Sequence, residues 1–146
     1  MNEADFDALR EHLHEVRPII DAFCERHGFV YADPMTLGRY PRIRIERRGA
    51  VTVWFDLWME FDKNGRYFKK FWRGIPYELS AGASFDIVDE SLCGVGFYKV
   101  LTCFSAVPFE QVGSMLMEQM EKHVDVVMSW DEALLRREGT MRRLGA

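Results

Sequence analysis

The chain predicts a two-layer α+β domain: an N-terminal helix, a mainly antiparallel meander sheet of five or six strands, and a long C-terminal helix. Three observations predict it. Residues 3–27 carry apolar side chains at helical spacing, residues from about 29 switch to a period of two, and residues beyond Pro108 return to helical spacing. With 146 residues, 48% of them hydrophobic and 29% charged, the chain can bury one globular core. Residues 1–138 read as a single domain, and residues 139–146 as a basic tail expected to be mobile.

The first helix rests on Phe6, Leu9, Leu13, Val16, Ile20 and Phe23, which recur at alternating spacings of three and four. Glu3, Asp5 and Asp7 suit the positive end of its dipole. Pro18 lacks a donor and clashes with the preceding turn, so the helix is expected in two pieces. Gly28 follows His27 where a left-handed residue ends a helix.

The strands follow. In "YPRIRIERRGAVTVWF", Ile43 and Ile45 alternate with Arg42, Arg44 and Glu46, then Val51, Val53, Phe55, Leu57, Met59 and Phe61 share one face. A loop at Arg47-Arg48-Gly49 would set Ile45 opposite Val51 and Ile43 opposite Val53. Asn64-Gly65 is the strongest hairpin signal in the chain, because a type I′ turn needs positive φ at both central residues. It predicts Trp58 opposite Phe71, Glu60 opposite Lys69 and Asp56 opposite Arg73. "GIPYELS" extends the sheet, with Pro76 at an edge or bulge, and "LSAGAS" reads as a short link. "SFDIV" and "VGFYKVLTCF" form a further hairpin across "DESLCG".

Val107-Pro108 opens the long helix, whose stripe is Leu116, Met120, His123, Val127, Trp130 and Leu134. "SWDE" has capping-box spacing, so a break and restart is expected there.

Charge is segregated beneath a net −4. Residues 1–38 hold eight acids against three arginines, residues 39–73 ten basic residues against four acids, and residues 74–135 ten acids against two lysines. Such asymmetry concerns partners rather than fold. No apolar run approaches the roughly 20 residues of a membrane span, and the acidic start has no signal-peptide character. Three cysteines without a CxxC pair argue against a disulfide framework and for the cytoplasm.

Chemistry-bearing patterns are few. His12 and His14 lie on different sides of a helix, and no zinc spacing, GxSxG or P-loop occurs, so neither a metal, a cofactor nor a catalytic residue is assigned. His123 reads as an interior histidine; Cys24 and Cys103 read as small apolar fillers, and Cys93 as the exposed thiol. Asp56 and Glu60 stand about 13 Å apart along a strand, too far to share a site as an acid–base pair.

The binding candidate is the sheet face opposite the helices. It would carry Arg42, Arg44, Trp54, Trp58, Lys69, Phe71 and Arg73, a mixture of arginine and aromatic side chains suited to protein contact. The acids within it and the acidic whole argue against nucleic acid. The expected function is therefore non-enzymatic protein binding, with a homodimer through this face or through the Met-rich C-terminal helix as one form of it. A small ligand-binding protein or hydrolase with a pocket between sheet and helices is the alternative. A small acidic α+β chain with terminal helices resembles, in outline only, bacterial secretion chaperones and toxin-neutralising immunity proteins. The short "LSAGAS" link lacks room for the chaperones' middle helix.

Overall fold

The computed structural model describes residues 3–32, 36–37, 40–49, 51–61, 70–72, 75–87, 95–104, 107–138 and 140–141. Helix α1 (Glu3–Leu13) passes through a single 3-10 turn, His14–Val16, into α2 (Arg17–His27). The break falls where Pro18 requires it, since proline is tolerated only at the start of the second piece. Gly28 ends α2 with φ 74°, donating its N–H to the Cys24 carbonyl at 2.9 Å. Leu9, Leu13, Val16, Ile20 and Phe23 are all buried along one stripe.

The sheet is built from four long antiparallel strands in the spatial order β3 (Tyr40–Arg47), β4 (Val51–Phe61), β6 (Ile75–Ile87) and β7 (Val95–Cys103). Short strands finish it: β1 (Val30–Tyr31) and β2 (Thr36–Leu37) on β3, β5 (Lys70–Trp72) on β6, and β8 (Thr140–Met141) on β7. Thr140 and Met141 belong to the segment expected to be a mobile tail; they pair with Gly96 and Val95. Helix α3 (Phe109–Met128) packs on the sheet, and α4 (Glu132–Glu138) follows.

One core lies between the layers. Phe55, Leu57 and Met59 of β4 and Leu79, Ala81, Ala83 and Phe85 of β6 meet Phe23 of α2 and Leu116, Met120 and Val127 of α3. Phe23, Phe29 and Phe55 form a ring cluster with centroids 5.4–5.5 Å apart. Full burial of such a side chain contributes about 1.5–3 kcal/mol. Gly113 brings α3 close to α2, because a Cβ there would lie 2.4 Å from Ile19 Cδ1.

Several expected pairings differ. Ile45 faces Phe55 and Ile43 faces Leu57, so β3 and β4 are offset by four residues from the three-residue loop register. An offset of four preserves which face each side chain takes, and alternation alone cannot detect it. The neighbour of β4 is β6 rather than the segment after Asn64-Gly65, with Met59 opposite Leu79, Leu57 opposite Ala81 and Phe61 opposite Tyr77. Trp58 is therefore not paired with Phe71, which lies opposite Pro76 on the far side of β6. The Asn64-Gly65 turn itself lies outside the described residues. "LSAGAS" is no link but the interior of the 13-residue β6, with Ala81 and Ala83 buried. Glycine and alanine are weak strand formers, and what holds them is the pairing on both sides, interrupted against β7 by a register shift at Ala81/Gly82. Pro76 lies beyond the last β4 pair, where its missing donor is tolerated.

Along α3, Val124 rather than His123 joins Leu116, Met120 and Val127 in the buried row, and His123 is half-exposed. The restart after α3 is capped by Asp131, whose carboxylate accepts the Leu134 N–H at 3.0 Å, while Ser129 closes α3.

Candidate functional site

The alternation of β3, β4 and β6 turns their even-numbered residues away from the helices, forming an outer face of ordered rows. Glu46, Trp54 and Ser84 make one row, Arg44, Asp56 and Gly82 the next, and Arg42, Trp58 and Ser80 the third. Glu60 and Glu78 follow as a fourth, two-strand row. Val100, opposite Gly82, and Cys103, opposite Ser80, continue the face onto β7, and both are exposed. Cys103 is thus a surface thiol rather than a filler, and Cys93 lies outside the described residues. Cys24 is half-buried, and burial pushes its thiol up to about 11, so it is a poor nucleophile.

Asp56 organises the centre. Its carboxylate accepts from Arg44 Nε at 2.7 Å and Arg44 Nη2 at 3.0 Å, a bidentate pair. Arg42 Nε stands 3.9 Å from the same carboxylate. Arg42 is 5% and Asp56 6% exposed, so this cluster is withdrawn from water although it lies on the face away from the helices. Burial, then the neighbouring Arg44, lowers the Arg42 guanidinium pKa, and Asp56 opposes the shift. The described partners of Asp56 come from β3, and Arg73 and Lys69 lie outside the described residues.

The two indoles flank that cluster and are both half-buried. Trp54 donates its Nε1–H to Glu46 at 3.0 Å, and Arg48 Nε donates to the other Glu46 oxygen at 2.6 Å. The Arg44 guanidinium carbon lies 5.1 Å from the Trp54 ring centroid, within cation–π range. Trp58 donates its Nε1–H to Glu60 at 2.8 Å. Each indole N–H is therefore used within the chain, and each ring is held in place. Among the described residues Arg42 and Arg44 face Asp56 and Arg48 faces Glu46, so these three arginines of the cationic middle are each opposed by a carboxylate.

Sequence reasoning set His12 aside as a metal ligand and did not foresee its surroundings. It is nearly buried, stacked on Phe109 at 3.7 Å between centroids, with Nδ1 3.2 Å from a Glu15 oxygen. The i, i+3 spacing of His12 and Glu15 was the available signal. Tyr77 meets its ring edge-on at 6.2 Å, and burial followed by Glu110 raises the Tyr77 phenol to about 12. At the other end of the helical layer, His27 Nε2 lies 2.8 Å from Glu121, and Arg26 forms an ion pair with it without hydrogen-bond geometry.

Between sheet and helices, among the described residues, lies a cavity of about 10 Å³, lined mainly by apolar side chains such as Ile43, Phe55, Leu57, Leu116 and Met120. That is room for a single water at most. His123 does not line it. Among the described residues no group of three or more His, Cys, Asp or Glu could hold a metal ion. Also among them, no helix is long and apolar enough to cross a membrane. Comparison with models of known protein families, with curated proteins and with solved structures finds no match to this chain.

Proposed function

We propose that this chain is a non-enzymatic protein-binding domain whose partner protein docks on the outer sheet face around Trp54 and Trp58. The observation that supports this reading is the pair of half-exposed indoles fixed by Glu46 and Glu60 on either side of the part-buried Arg44–Asp56 pair. A ring whose N–H is already satisfied offers a partner its π-face and edge, and loses little rotamer freedom on contact. Arginine and tryptophan are also the residues in which interface energy concentrates. The small apolar cavity behind the sheet favours this reading over the ligand-pocket alternative.

The test is in-cell cross-linking with the wild-type chain and with Trp54→Ala, Trp58→Ala and Val126→Ala, the last on the outer side of α3 where Val126 is 51% exposed. The same partner should be captured by wild type and Val126→Ala and lost from both tryptophan variants at unchanged unfolding midpoint. A partner captured equally by all four chains overturns the proposal. If the partner is a second copy, sizing shows a dimer that both tryptophan variants dissociate.

A further inference from the structure

We draw no further inference here: the strongest candidate, the outer sheet face around Trp54, Arg44 and Trp58, belongs to the site already described, and nothing in the structure shows what chemistry a partner covering it would carry.

Discussion

Asp56 carries the most consequence of any single residue. It is a buried carboxylate shared by two guanidiniums, and removing it leaves Arg44 without its bidentate acceptor. Breaking a buried pair from one side costs about 3–5 kcal/mol, so Asp56→Asn should lower stability by that order in urea unfolding. Glu60→Gln, at a half-buried position bonded to one indole, should cost about 1 kcal/mol or less. Equal losses would mean that Asp56 is not the hub. Two histidines should contribute to the response to acid. Burial, then Arg17 and Arg10, lowers the His14 pKa below 6.5, while burial, then Lys99 and Lys122, lowers that of His123. The unfolded chain therefore binds more protons as pH falls below 6.5, and stability present above that value is lost through the folded-state values. The double variant His14→Gln/His123→Gln should lose less stability than wild type between about pH 7.5 and about pH 5, measured as urea midpoints. A parallel loss in both chains would show that these side chains do not set the slope.

At the scale of elements, the helical layer depends on the approach of α3 to α2 at Gly113. Gly113→Val would drive a branched side chain into Ile19 and should destabilise by about 1–3 kcal/mol. Ile19→Ala in the same chain should recover most of that, because the obstructing atom is the tip of Ile19. A Gly113→Val chain as stable as wild type would mean that the tip of Ile19 swings aside and that this contact does not limit the approach of the helices. The helices themselves were legible in the sequence, since a 3.6-residue period, Pro18 and Gly28 are local signals that need no tertiary information. Strand identity was legible for the same reason in β3, β4 and β7. Strand partnership was legible for the local hairpins, β3 with β4 and the end of β6 with β7, but not for β4 with β6, and register was not legible. Parity assigned the faces of Ile43, Ile45, Phe55 and Leu57, yet every even offset satisfies parity, and the observed offset is one of them. The interior of β6 was hidden because Ser80 to Ser84 carries small residues that score as a link, although Ala81 and Ala83 are required beneath the helices. For the site, the sequence placed Arg42, Arg44, Trp54 and Trp58 on one face, but Asp56's pairing with β3 depended on the register that sequence could not supply.

For the molecule as a whole, the two layers divide Trp130 from Trp54 and Trp58. Trp130 packs on Phe85 at 5.4 Å and is 7% exposed, whereas Trp54 and Trp58 lie half-buried on the outer face. Iodide should quench a fraction of the fluorescence that shrinks in Trp54→Phe and again in Trp58→Phe, across a dilution series with parallel sizing. Quenching that develops only on dilution identifies the outer face as a contact between copies; no quenching at any concentration means the face is covered within the chain. The place of β6 has a consequence for how this chain emerges during synthesis. Tyr77 lies between Phe61 of β4 and Lys70 of β5, so the third long strand of the sheet must enter between two segments made before it. Until residues 75–87 leave the ribosome, β4 has β3 on one side and a bare row of backbone donors and acceptors on the other. Part of its apolar face stays uncovered longer, because α2 offers Phe23 to Phe55 from the start but α3 is made later still. A nascent chain whose emerged part ends between Phe61 and Ile75 would present that edge and the uncovered part of that face together, an exposure that a holding chaperone would cover.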